Sequence, residues 1–172
     1  PSVTQTIDVG KLNQTITFAQ PADRDFGSSA FALSSTASSG LPVRFALDGP
    51  STTNSSCSVD DTGIVTINAV GACGITVTQA GNAAYAAASP VTRVFQVRVA
   101  AASAPYITGV SVQNGGATLT FAVPGFTGGA PIAGYQVNAY PADGGPPVVF
   151  NGCPTALPLE CTMPGLTNGV GY

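Results

Sequence analysis

The residues in this chain that could do chemistry are few, and their types narrow the options at once. There is no histidine among the 172 residues, so neither a Ser-His-Asp nor a Cys-His nucleophile can be assembled. Lys11 is the sole lysine, and Gly10-Lys11-Leu12 has the pattern of a domain entrance rather than of a cleft, which leaves a Ser-Lys dyad without context. An isopeptide cross-link from Lys11 would need a buried Asn or Asp and a nearby acid; a solvated lysine is the simpler expectation. Asp23-Arg24-Asp25 and Asp60-Asp61 are the only acidic clusters. Calcium takes carboxylate and carbonyl oxygens, which makes Asp23, Asp25, Asp60 and Asp61 the metal candidates. Turn chemistry competes with that reading, because Asp bonds its own backbone in turns and Asp60-Asp61-Thr62-Gly63 has a hairpin-tip pattern. Glycoside hydrolysis needs two convergent carboxyl groups. Asp143 and Glu160, the acids of the C-terminal part, both lie in turn-like sequence. The expectation is a chain that is not an enzyme and carries no cofactor.

The four cysteines are Cys57, Cys73, Cys153 and Cys161. An even count in two local pairs, with no histidine and no C-x₂₋₄-C spacing, fits disulfides better than zinc. Disulfides imply an oxidising compartment, extracellular or at a cell surface. Nothing cationic lies close in sequence to either pair to lower a thiol pKa, which disfavours a redox role.

These residues need a frame to hold them. Hydrophobic residues make up 44% of the chain, enough for ordinary cores, while charged residues make up 8% against a typical ~25%. Formal net charge is −3, with Lys11, Arg24, Arg44, Arg93 and Arg98 the only cations. No basic patch exists to neutralise phosphates, so nucleic acid is not an expected partner. No apolar run approaches the ~20 residues of a membrane helix, so no membrane insertion is expected.

Helical periodicity is absent. Short alternating runs are separated by Gly, Pro, Asn and Ser, the pattern of an all-β sandwich. Ile16 and Phe18 share one face of a first strand. Phe31, Leu33, Ser35 and Ala37 predict a second; Val43, Phe45 and Leu47 a third. Further strands follow at Val65-Ile67-Ala69, Ile75-Val77 and Phe95-Val97-Val99. Residues 101–105, without alternation or charge, predict a short linker. A second module begins at Tyr106, with Asn114-Gly115-Gly116 as a hairpin signal and strands ending in Phe121, around Tyr135, Val137 and Ala139, at Val148-Val149-Phe150, and at Leu159 to Met163. The buried face of the Ile107–Val112 run is ambiguous, because apolar residues occupy both phases.

Several separated motifs in the first module carry a resemblance. They are Gln14-Thr15-Ile16-Thr17-Phe18, Ala37-Ser38-Ser39-Gly40-Leu41-Pro42-Val43, Cys57-Ser58-Val59, Gly71-Ala72-Cys73-Gly74-Ile75-Thr76-Val77 and Gln79-Ala80-Gly81-Asn82-Ala83-Ala84-Tyr85. On these, residues 11–100 resemble bacterial immunoglobulin-like repeats of large surface and secreted proteins. Residues 106–172 look like a fibronectin type III domain. The carriers are Leu119-Thr120-Phe121, the stretch Gly128 to Tyr135, and Leu166 followed by Tyr172. In that family the Leu and Tyr form a corner in which the hydroxyl bonds back to backbone. Resemblance and spacing together support a Cys57–Cys73 disulfide, and Cys153–Cys161 would close a second, smaller loop.

Both ends of the chain look cut. Ser2 to Val9 aligns with Pro90 to Val97, as though residues 1–10 were the final strand of a preceding repeat. After Tyr172 the fibronectin-like pattern lacks its last strands, so the second sandwich is expected to be truncated. Val3, Thr4, Thr6, Ile7 and Val9 are therefore strand-exchange candidates, since an exposed sheet edge accepts an added strand.

The expected architecture is tandem immunoglobulin-like sandwiches from a repeat array. The expected function is a structural or adhesive segment of an extracellular bacterial protein: a stalk, adhesin or fibre. The alternatives are a filament subunit assembling by strand exchange and a carbohydrate- or protein-binding accessory module of a secreted enzyme. Tyr85, Tyr106, Phe126, Tyr135 and Tyr140 are the residues to examine for sugar stacking. The partners implied are neighbouring repeats, other copies of the chain, or a cell-surface glycan or protein.

Overall fold

The computed structural model describes residues 10–172, and throughout them the regular structure is β-strand, apart from one 3-10 turn at Gly49–Ser51. Val3, Thr4, Thr6, Ile7 and Val9 lie outside the described residues. The chain divides into two compact units between Val99 and Ala100.

In the first unit the strands are β1 (Ile16–Phe18), β2 (Arg24–Asp25), β3 (Phe31–Ala32), β4 (Ser35–Ala37), β5 (Arg44–Leu47), β6 (Cys57–Val59), β7 (Ile64–Ile67), β8 (Gly71–Thr78) and β9 (Val91–Arg98). They pair as a four-stranded sheet β2-β9-β8-β5, a three-stranded sheet β3-β7-β6 and the pair β1-β4. Thr, Val and Ile supply the alternation that a pleated, half-buried surface favours. In β8, Cys73, Ile75 and Val77 are buried; in β9, Phe95 and Val97 are, while Thr92, Gln96 and Arg98 face solvent. These residues meet Phe18, Phe45, Cys57 and Val65 in one core. Phe18 stands edge-on to Phe45 and Phe31 to Phe95, each at 5.9 Å between ring centres, the geometry that ring quadrupoles prefer. The arrangement is that of a β-sandwich.

One expected strand is two. Phe31-Ala32 pairs with β7, whereas Ser35–Ala37 pairs with β1. Phe31, Leu33 and Ala37 still point inward, so the alternation holds across a change of neighbour. In the sequence Leu47, the last residue of β5, and Val99, just beyond β9, read as inward, but they are 43% and 53% exposed.

The second unit contains β10 (Tyr106–Gln113), β11 (Gly116–Ala122), β12 (Tyr135–Ala139), β13 (Val148–Cys153) and β14 (Glu160–Pro164). β10-β11-β14 form one antiparallel sheet and β12-β13 another. The turn at Asn114-Gly115 joins β10 to β11, with Gly115 at φ +70, where glycine carries no Cβ penalty. Phe121, Cys153, Leu159 and Cys161 form a small core, with Tyr135, Val137 and Phe150 against it. Residues 100–105 are tied to this unit: the Ala100 amide donates to the Gly128 carbonyl and the Ser103 amide to that of Phe126, both at 2.9 Å.

Candidate functional site

The acidic candidates are distributed over separate turns and surface pairs. The Asp23 carboxylate accepts the Gln96 amide at 2.8 Å and pairs with the Arg98 guanidinium. Asp25 lies beside it in β2, where its carbonyl accepts the Ser28 amide. Asp61 pairs with Arg44 at 2.8 Å, both well exposed, a geometry that contributes ~0–1 kcal/mol at most. Asp60 closes the β6–β7 turn: one carboxylate oxygen accepts the Thr62 amide at 3.0 Å, the Thr62 hydroxyl at 2.7 Å and the Ile64 amide at 2.9 Å. The Ile64 amide, then the Thr62 hydroxyl, hold its pKa below the ordinary 3.8 by favouring the ionised form. Among the described residues, no group of three or more His, Cys, Asp and Glu converges as a metal site. Asp143 accepts the Gly145 amide in a turn, and Glu160 stands exposed on β14.

Among the described residues, the cysteines tie separate sheets together covalently. Cys57 on β6 is bonded to Cys73 on β8, with Cα atoms 5.8 Å apart, joining the three-stranded sheet to the four-stranded one. Cys153 on β13 is bonded to Cys161 on β14, with Cα atoms 4.9 Å apart, joining the two sheets of the second unit. All four are buried and no cysteine among the described residues is free. Two formed disulfides are consistent with an oxidising extracellular compartment. No described helix is long and apolar enough to cross a membrane.

A buried polar cluster had no direct signal in residue type. The Gln14 amide donates to the Gln79 carbonyl oxygen and to the Ala86 carbonyl, the Ser39 hydroxyl donates to Gln14, and the Gly81 amide donates to Gln79. Gln14 and Gln79 are 7% and 9% exposed, and no buried side-chain nitrogen or oxygen among the described residues lacks a partner. It fastens the entry segment, the β4–β5 loop and the loop after β8 to one another. The position of each Gln just outside an alternating run is the trace it leaves in sequence.

Most of the large exposed apolar side chains among the described residues lie in the second unit. Tyr106, Ile107, Val110 and Val112 on β10 are 74%, 54%, 62% and 84% exposed, which resolves the ambiguous phase of that run: neither face is covered. A trough of about 300 Å³ runs between the β10-β11-β14 sheet and β12, lined by Val110, Leu119, Val137, Ala139, Met163 and Tyr172. At its end the Tyr172 hydroxyl accepts the Thr167 amide at 3.1 Å, while Leu166 lines the trough. Of the stacking candidates, Tyr135 packs edge-on against Phe121 at 4.8 Å, Tyr85 and Phe126 are half-buried, and Tyr106 and Tyr140 are open to solvent. No protein-family model matches the chain, and no curated protein matches it in sequence.

Proposed function

We propose that this chain is a load-bearing structural segment of an extracellular bacterial multi-repeat protein, serving as part of a stalk, adhesin or fibre. In this reading residues 11–100 are an immunoglobulin-like module and residues 106–172 a fibronectin III-like one. The observation that carries it is the pair of disulfides, each joining two different sheets of its own unit. A sandwich yields under tension when its sheets slide or separate and its core floods. A covalent tie across the layers keeps the cross-linked strands together and shortens the length released. The hydroxyl-rich, weakly charged surface supports the same reading, because neighbouring modules meet little repulsion. Single-molecule stretching of the full chain tests it. A load-bearing segment gives two discrete unfolding events; gradual extension without force peaks would overturn the proposal.

A carbohydrate- or protein-binding accessory module is the second reading, favoured by the exposure of Tyr106 and Tyr140. Saturable chemical-shift changes at those two rings in a glycan titration would support it, and their absence across a glycan panel would remove it.

A further inference from the structure

Asn-Gly occurs at Asn114-Gly115, Asn151-Gly152 and Asn168-Gly169, all in the second unit. Asparagine before glycine is chemically labile. No Cβ on the glycine shields its backbone nitrogen from the side-chain amide carbon of the preceding residue, and glycine's backbone freedom lets the two atoms meet.

Two of these dipeptides touch. The Gly115 amide donates to Asn168 Oδ1 at 2.9 Å, and Asn168 Nδ2 donates to Asn114 Oδ1 at 2.6 Å. One side chain therefore holds both partners of a reaction at Asn114: the nitrogen that would attack and the amide that would be attacked. The pairing of β11 with β14 sets this up, because Gly116 opposite Pro164 brings the residues after β14 against the β10–β11 turn. The Gly115 carbonyl is held from the same segment, accepting the Gly165 amide at 2.9 Å and the Leu166 amide at 3.1 Å. Asn151 is held differently. Its Oδ1 accepts Gln136 Nε2 at 2.8 Å, across the β12-β13 pair.

We propose that Asn114 is a site of spontaneous deamidation and that the Asn168 side chain is the clamp that keeps it closed. In the reaction the Gly115 nitrogen gives its proton to solvent and bonds to the Asn114 side-chain carbon. The bond from that carbon to the amide nitrogen breaks and ammonia leaves, so a five-membered imide forms. Water then opens the ring at one of its two carbonyls, giving aspartate or isoaspartate. Ring closure requires the Gly115 N–H to leave Asn168 Oδ1 and the Asn114 amide to turn away from Asn168 Nδ2, so both bonds oppose it. The product adds a negative charge, and isoaspartate also lengthens the main chain by one carbon in the turn that sets the β10–β11 register. Deamidation of Asn168 itself would replace the donor Nδ2 with oxygen and loosen the clamp. This site stands apart from the load-bearing reading and does not depend on it.

The test follows the full chain over time in mildly alkaline buffer, with peptide mapping by mass spectrometry to read each Asn-Gly separately as conversion of amide to acid. Asn114 should react about tenfold more slowly in the folded chain than in a synthetic peptide of residues 110–118, since ~1.4 kcal/mol is a tenfold change in rate and two exposed hydrogen bonds are of that size. Asn168→Ala should bring Asn114 close to the peptide's rate while Asn151 keeps its own. Asn168→Asp, which retains an acceptor for the Gly115 amide but lacks the donor to Asn114, should also accelerate Asn114. Three results would overturn the proposal: Asn114 reacting as fast in the native chain as in the peptide; a rate at Asn114 that neither substitution changes; or Asn114 and Asn151 accelerating together in Asn168→Ala, which would assign the protection to the fold of the whole unit rather than to the clamp.

Discussion

Reducing the two disulfides should lengthen the chain that each unit releases under load, by amounts the structure fixes. With Cys57 bonded to Cys73, the intervening residues cannot be drawn out when the first unit unfolds; the separation is 16 residues and the Cα atoms are 5.8 Å apart. Sixteen residues at ~3.6 Å each, less the 5.8 Å already bridged, is ~52 Å of extra contour length on reduction. For Cys153–Cys161, eight residues less 4.9 Å is ~24 Å by the same arithmetic. The assay is single-molecule stretching of the full chain with and without reductant. The double variant Cys57→Ala, Cys73→Ala should show the larger increment alone under oxidising conditions, assigning it to the first unit. Loss of the loop constraint also removes ~3 kcal/mol for a loop of this size in the chain-entropy model, so the reduced unit should yield at lower force. Identical increments in both states would refute the reasoning, since the cysteines would then not be bonded as the structure has them. A locked length spanning residues of both units would refute the pairing.

Three further outcomes follow from the packing. Phe95 is fully buried and edge-on to Phe31, so Phe95→Ala should cost ~3–5 kcal/mol in urea unfolding; a loss under ~1 kcal/mol would mean that the core collapses around the gap. Asp60 has a lowered folded pKa, so its contribution is complete above the ordinary value of 3.8 and is lost as pH falls through the lower folded value. Asp60→Asn keeps an acceptor for the turn and should flatten that acid limb, which unfolding midpoints across the acidic range would show; an unchanged slope would assign the limb to other carboxylates. Gly81 has φ +77, and an added Cβ would collide with the Tyr85 carbonyl oxygen beside the Gln14–Gln79 cluster. Gly81→Ala should therefore lower the thermal midpoint by more than the ordinary surface substitution does, and a neutral result would show that this loop can re-form elsewhere.

Much of the fold was legible as faces. Phe18, Phe45, Val65, Ile75, Val77, Phe95 and Val97 were readable as inward residues because a period of two reports which side of a pleat a residue occupies. The Cys57–Cys73 and Cys153–Cys161 pairs were likewise within reach of spacing and resemblance. What alternation cannot report is the neighbour. Phe31 to Ala37 kept its phase while changing sheets, and the two-residue strand β2 runs parallel to β9, a pairing with no local signature. The Gln14–Ser39–Gln79 cluster required three segments far apart in sequence to converge, so residue type alone could not announce it. The same holds for the acids: adjacency suggested shared ligation, but Asp23 and Asp61 each took an arginine from another strand, and Asp60 turned to its own backbone. By itself the sequence determined the β periodicity, the two-module division, the candidate disulfides and the lack of any histidine-based chemistry. Only the tertiary structure decided which strands pair, that each disulfide crosses between sheets, and that β10 and β12 flank an uncovered trough. Strand pairing joins distant segments through backbone groups that every residue carries, and so it leaves little trace in the order of side chains.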